Sequence, residues 1–167
     1  MRNIILIGMP SAGKSTVGII LAKNLGMDFV DTDVLLQTRQ GRLLQEIIEG
    51  DGIQAFLDKE EATILSTEYS NTVIATGGSV VYSQKAMKHL KSSGIAIYLN
   101  ISMKTVRARL RNLKTRGVVL GKGQTLEELY RERAPLYERY ADIVLECSNY
   151  SIEDTINAVH SKLASLS

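Results

Sequence analysis

The sequence predicts an α/β fold in three layers, a parallel β-sheet with helices on both faces, and three observations carry that prediction. Five short apolar runs rich in Ile, Val or aromatic residues are spaced along the chain. Stretches of helical period lie between them, and the unusual residues gather in the loops that follow the runs. Strand-like and helix-like segments in alternation are the pattern of a parallel sheet covered on both sides.

The runs are Ile4 to Ile7, Phe29 to Val30, Val73 to Ala75, Ile95 to Leu99 and Ile143 to Leu145, each short enough for a buried strand. Helical spacing follows in Val17, Ile20, Leu21 and Leu25, then in Phe56, Ala62 and Leu65, then in Val106 and Leu110, and last in Ile152, Ile156, Val159 and Leu163. Such sheets bind ligands at the carboxyl ends of their strands, here the loops starting near Gly8, Asp31 and Thr76. The Gly- and Lys-rich stretch from Lys114 to Gly123 reads as a mobile segment between two helices. No repeat or low-complexity linker interrupts the 167 residues, so one domain over 1–167 is expected.

Composition excludes several classes. Twenty Lys and Arg stand against 18 Asp and Glu, and the resulting net charge of +2 gives no electrostatic case for a nucleic-acid binder. The single Cys147 allows no internal disulfide and suits a reducing cytosol, where it reads as a small buried apolar residue. The apolar start from Met1 is broken by Gly8, Pro10 and Gly13 before it reaches signal-peptide length, and no run approaches the roughly 18 apolar residues that cross a bilayer. A cytoplasmic monomer without nucleic-acid or membrane partners is expected. His89 and His160 fall on polar helix faces and are expected to be solvated.

Gly8-Met9-Pro10-Ser11-Ala12-Gly13-Lys14-Ser15 satisfies G-x-x-x-x-G-K-[ST], directly after a strand and directly before a helix. Glycine lets consecutive backbone N–H groups turn inward around phosphate oxygens, and the helix start aims its dipole at the same anion. The loop from Gly8 to Thr16 therefore binds the phosphates of a nucleoside triphosphate, with Ser11, Ala12 and Gly13 in its curve. Lys14 bridges the outer phosphates and Ser15 ligates magnesium.

Asp31-Thr32-Asp33 ends the second strand beside this loop. Two residues apart on a strand, the carboxylates face roughly the same way. Phosphoryl transfer to an alcohol needs one carboxylate for the metal and one to accept the hydroxyl proton, so Asp31 is assigned to magnesium and Asp33 to the acceptor hydroxyl. A plain N-cap role for Asp33 is the competing account. Gly77 and Gly78, in Thr76-Gly77-Gly78-Ser79, offer bare backbone for close approach of substrate at the same sheet edge.

Taken together these residues resemble the shikimate kinase family over nearly the whole chain. The phosphate-binding loop, Asp31-Thr32-Asp33, Gly41, Phe56, Glu60, Thr76-Gly77-Gly78 and Arg133-Ala134-Pro135-Leu136-Tyr137 fall in the family's order and approximate spacing. The resemblance implies a P-loop kinase fold with a five-stranded parallel sheet, an acceptor-binding region over about 33–61 and a flexible lid over about 112–124. It also implies transfer of the ATP γ-phosphate to a ring hydroxyl of shikimate. On the same grounds Arg109 resembles the arginine that stacks on adenine, Arg116 the catalytic lid arginine that reaches the phosphates, and Arg133 the one that grips the acceptor carboxylate. Ser148 to Ser151 resembles the loop around adenine.

The chain departs from the family pattern on the acceptor side. Where the family has Gly-Glu-x-x-Phe-Arg, this sequence reads Gly52-Ile53-Gln54-Ala55-Phe56-Leu57, so an acceptor-gripping arginine is replaced by Leu57. Gln54, three residues earlier, is the candidate for a neutral donor to the same region, while Lys59 projects from another helix face. Gln37 stands for a common glutamate, Ser79 for a third glycine and Gly117 for a proline after the lid arginine. Losing an arginine–carboxylate pair weakens acceptor binding on the order of 10- to 1,000-fold. The sequence thus points to an ATP- and magnesium-dependent kinase of shikimate. A related hydroxylated acceptor and a nucleotide-binding regulatory role without transfer are the alternatives.

Overall fold

A computed structural model describes residues 2–110 and 118–165. Its central element is β1, Asn3–Ile7, in which every residue is buried. A strand with both faces covered needs helices on each side, and this one pairs in parallel with a neighbour at both edges. The neighbours are β3, Thr72–Ala75, and β4, Gly94–Asn100. The outer strands are β2, Asp28–Asp31, on β3, and β5, Ile143–Glu146, on β4. The order is β2-β3-β1-β4-β5, parallel throughout.

All five expected strands are present, each extended by a residue or so at its ends. The connection leaving β1 runs toward β2 and the one leaving β4 runs toward β5. Adjacent strands thus send their loops in opposite directions, and a crevice opens at their carboxyl ends.

The helices in chain order are α1 (Lys14–Leu25), α2 (Thr32–Gln40), α3 (Leu44–Asp51), α4 (Ile53–Leu65), α5 (Gln84–Ser92), α6 (Met103–Arg109), α7 (Leu126–Tyr140) and α8 (Ile152–Ala164). Thr125 with Glu128 and Ser151 with Asp154 form reciprocal caps that fix where α7 and α8 begin. The main core joins the sheet to α1, α5, α7 and α8. A smaller core of Leu36, Leu44, Ile47, Phe56 and Val119 holds α2, α3 and α4 together at the carboxyl edge of β2. That satellite carries the region expected to bind the acceptor. Among the described residues no helix is long and apolar enough to cross a membrane.

Cys147 is buried, as its composition implied. His89 is half-buried with Nε2 2.9 Å from the Thr67 carbonyl, which replaces the solvated position expected of it. Lys59 pairs with Asp51 at 3.3 Å, beside Arg42, and so lies off the acceptor side.

Candidate active site

The loop after β1 is tightly constrained. Gly8 has φ +147°, and a Cβ there would lie 2.8 Å from the Leu99 carbonyl oxygen of β4, so only glycine lets the chain leave the sheet here. Ser11 and Gly13 also have positive φ, which curls the loop before α1 starts. Lys14 folds back over the loop, its Nζ donating to the carbonyls of Gly8 at 2.7 Å and Met9 at 2.8 Å. Burial lowers its pKa to about 8, with Arg133 adding to the effect and Asp33 opposing it. The buried Ser11 hydroxyl has no partner among the described residues. A buried ammonium held by neutral carbonyls beside an orphaned hydroxyl, at a helix start, fits a phosphate-bearing ligand.

Asp31 is fixed from two sides. Ser15 Oγ donates to its Oδ2 at 2.5 Å, and its Oδ1 accepts from the backbone amides of Asp33 at 2.9 Å and Val34 at 3.2 Å. Asp31 is therefore the N-cap of α2, which begins at Thr32. The competing account of Asp33 as a cap therefore falls away, and one expectation is corrected: strand alternation does not align the two carboxylates, because the strand stops between them. Ser15 and Asp31 together present oxygen ligands, the donors magnesium prefers. Among the described residues no group of three or more His, Cys, Asp or Glu side chains is placed to hold a metal. A magnesium ion at Ser15 and Asp31 would thus complete its shell with water and phosphate oxygens, its usual habit.

As the second residue of α2, Asp33 aims its carboxyl at the turn after β3. A Cβ on Gly77 would lie 2.6 Å from Asp33 Oδ1 and 2.5 Å from Glu60 Oε2, so the bare glycine is wedged between two carboxyls. Burial, and after it the charge of Asp31, raises the Asp33 pKa to about 6, against the pull of Lys14 and Arg133. Gly78 is crowded in the same way, since a Cβ there would meet Arg133 Nη1 at 2.9 Å and Pro10 Cδ at 3.0 Å.

Arg133 is only 1% exposed. It donates to the Val119 carbonyl at 3.2 Å and the Tyr82 hydroxyl at 3.3 Å, and its guanidinium lies 5.3 Å from the Tyr82 ring centre. Among the described residues it forms no ion pair with a carboxylate. Tyr137 Oη anchors the turn by donating to the Gly78 carbonyl at 2.6 Å.

Lys14, Ser15, Thr16, Asp33, Gly78 and Arg133 line one cavity of about 350 Å³. A second cavity, of about 280 Å³, lies on the other side of the loop against Ala12, Gly13, Arg109, Cys147, Tyr150 and Ser151. Arg109 there donates to the Ser11 carbonyl at 3.0 Å, while Arg107 pairs with Glu127 and turns away. Ser148 does not line the second cavity. Its Oγ accepts from the Ser102 amide at 2.9 Å and orders the loop, leaving Cys147, Tyr150 and Ser151 to form the wall.

Leu57 and Gln54 are not brought to Arg133 either. Both line a neighbouring cavity of about 720 Å³ that meets the first at Ser79 and Val119. Gln54 is exposed and its amide is spent on Asp58 at 3.0 Å. Arg116 and Gly117 lie outside the described residues.

With this geometry in view, the shikimate kinase family model matches residues 10–164. The chain belongs to the shikimate kinase family. A shikimate kinase of Thiobacillus denitrificans is 36% identical over 96% of this chain and 90% of its own, and one of Actinobacillus succinogenes is 37% identical over 95% and 93%. The structure of shikimate kinase from Acinetobacter baumannii in complex with shikimate superposes with a TM-score of 0.91, at 29% identity, over 99% of this chain and 94% of that one. The match confirms the three-layer fold with its five-stranded parallel sheet and a phosphotransferase chemistry with a hydroxyl acceptor.

Against the shikimate kinase pattern, the residues that the sequence left unassigned are Glu60, Ser79 and Tyr82. Ser79 Oγ donates to Glu60 at 2.8 Å and 3.0 Å, and Tyr82 supports the Arg133 guanidinium. Glu60 carried a signal, a charged residue on the same face of α4 as the apolar Leu57, one turn away. Tyr82 carried none.

Proposed function

We propose that this chain transfers the γ-phosphoryl group of ATP to a hydroxyl of shikimate, giving shikimate 3-phosphate. The observation that carries the reading is Arg133, a buried guanidinium without a carboxylate partner among the described residues, opening onto the cavity that holds Lys14 and Asp33. An uncompensated buried cation is costly unless an anion arrives, and shikimate brings a carboxylate. Relatives over nearly the whole chain are shikimate kinases, and one superposed structure holds shikimate itself.

In this reading Arg133 holds the acceptor carboxylate and Gly77 and Gly78 let the ring approach the backbone. Asp33, with a pKa near 6, takes the hydroxyl proton at neutral pH. Lys14 lies over the outer phosphates, and Arg109 with the wall of Cys147, Tyr150 and Ser151 borders the nucleotide base. ATP with magnesium at Ser15 and Asp31 supplies the phosphoryl group and offsets its charge. Arg116 is assigned to the lid, and the protein to the cytoplasm as a monomer.

The test is ADP release with ATP, magnesium and shikimate, for the wild type and Asp33→Asn. Shikimate-dependent turnover is expected to fall 10²- to 10⁴-fold in the variant while ATP affinity holds, because only the base is lost. Absence of shikimate-dependent turnover in the wild type would overturn the reading.

A further inference from the structure

Glu60 is a buried carboxyl to which no role has been given. It is 5% exposed, on α4 one turn after Leu57, and its carboxyl shares a single contact with the Ser79 hydroxyl, at 2.8 Å and 3.0 Å from its two oxygens. Across Gly77 it faces Asp33. Since a single Cβ position lies 2.5 Å from Glu60 Oε2 and 2.6 Å from Asp33 Oδ1, those two oxygens are within roughly 5 Å, where one charge suppresses the other.

A neutral carboxyl and a hydroxyl can each donate and accept, so the Ser79 contact is satisfied with or without the proton. The surroundings decide which state holds. On the P-loop side stands Lys14, and on α7 stand Arg133 and Tyr137; Asp33 faces from α2. The larger cavity that Glu60 also lines adds Asp58, Glu61, Glu128 and Glu132 against Lys122. Neither cation makes an ion pair with Glu60, and Leu57 brings no charge one turn before it.

We propose that Glu60 is a specificity-determining residue for the acceptor. As a neutral acid held by Ser79 it leaves the field of Arg133 open to an anionic acceptor, and as a carboxylate it turns that acceptor away. The inference rests on the reading of shikimate as acceptor and deepens it. Burial and then the neighbouring Asp33 push the Glu60 pKa up to about 8, so the change of state falls just above neutral pH. Ionisation would add a second negative charge beside Asp33, and Arg133 and Lys14, which oppose the rise in the Glu60 pKa, do so more weakly than burial and Asp33 favour it.

The experiment is the KM for shikimate from pH 7 to pH 9, together with kcat and the KM for ATP, in the wild type and Glu60→Gln. If the site takes the acceptor only while Glu60 is neutral, a proton lost near pH 8 raises the wild-type shikimate KM about tenfold by pH 9. Glu60→Gln cannot ionise and is expected to hold one value across the range. Titration of Lys14 would move the KM for ATP alike in both proteins, which separates the two groups. A flat wild-type shikimate KM, or a rise that persists in Glu60→Gln, would overturn the proposal.

A second measurement needs no turnover. The carbonyl stretch of a protonated carboxylic acid is followed by infrared difference spectroscopy on the ligand-free protein over the same range. A band present at pH 7, lost by pH 9 and missing from Glu60→Gln supports the proposal; its absence from the wild type at pH 7 defeats it. If shikimate is not phosphorylated at all, the functional reading fails, and the spectrum still decides the state of Glu60.

Discussion

Gly77 is the place where the site leaves no room for a side chain, and Gly77→Ala turns that into a measurement. The added Cβ would stand 2.5 Å from Glu60 Oε2 and 2.6 Å from Asp33 Oδ1. Ordinary contact between such atoms begins near 3.4 Å, so each oxygen must retreat by about 1 Å. Both obstacles are ends of side chains rather than backbone, and Gly77 is not among the glycines with positive φ. The fold can therefore absorb the methyl by moving the two carboxyls. Chemistry cannot, because a base displaced by about 1 Å costs on the order of 10²-fold in rate, or roughly 3 kcal/mol of transition-state stabilisation.

The assay is steady-state ADP release at saturating ATP and shikimate, with thermal melting and nucleotide binding measured alongside. Gly77→Ala is expected to lower kcat about 100-fold while its melting temperature and ATP affinity stay close to wild type. Gly26→Ala is the matched control. Gly26 ends α1 at φ +65° with nothing within 4 Å of an added Cβ, so it is expected to lose about 1 kcal/mol of stability and no kcat. A Gly77→Ala enzyme within threefold of wild-type kcat would refute the argument that Asp33 must sit where the structure puts it.

Three further outcomes follow from the same geometry. With Asp33 as the base and its pKa near 6, kcat/KM for the acceptor should fall tenfold per pH unit below about pH 6, and a profile flat to pH 5 would remove Asp33 from that role. Arg133→Lys keeps the charge but loses the planar fork that reaches Val119 and Tyr82, so the shikimate KM should rise by roughly 10- to 100-fold with the KM for ATP little changed. Leu57→Arg places a cation one helical turn before Glu60; it should tighten shikimate binding about tenfold and, by holding Glu60 ionised but paired, flatten the rise in KM above pH 8.

What could be read from the sequence was what local spacing determines. The phosphate-binding loop is contiguous, so Gly8, Gly13, Lys14 and Ser15 declared themselves together, and the inner strands β1, β3 and β4 appeared as apolar runs because both their faces are covered. Roles set by a partner far along the chain did not appear. Whether Asp31 or Asp33 caps α2 depends on where β2 stops, which Ser15, 16 residues earlier, helps decide by fixing the Asp31 carboxylate. Arg107 and Arg109 lie two residues apart on one short helix, and only contact with Glu127 or with Ser11 tells them apart. Gln54 seemed available to the acceptor until Asp58, on the next turn of its own helix, took its amide.

The acceptor side shows why a substitution list misleads when its members are taken one at a time. Leu57 alone reads as a lost cation, and Ser79 alone as a tolerated change in a glycine turn. In space they concern the same carboxyl. A cation one turn before Glu60 would hold it ionised, whereas Leu57 leaves it to burial, which favours the neutral acid. A buried carboxyl without a donor is costly, and the Ser79 hydroxyl supplies one at 2.8 Å. The two changes therefore balance each other around Glu60. What differs is where positive charge resides: in the proposed reading Arg133 meets the acceptor without an arginine at position 57, and Tyr82, Val119 and Tyr137 hold Arg133 and its turn in place.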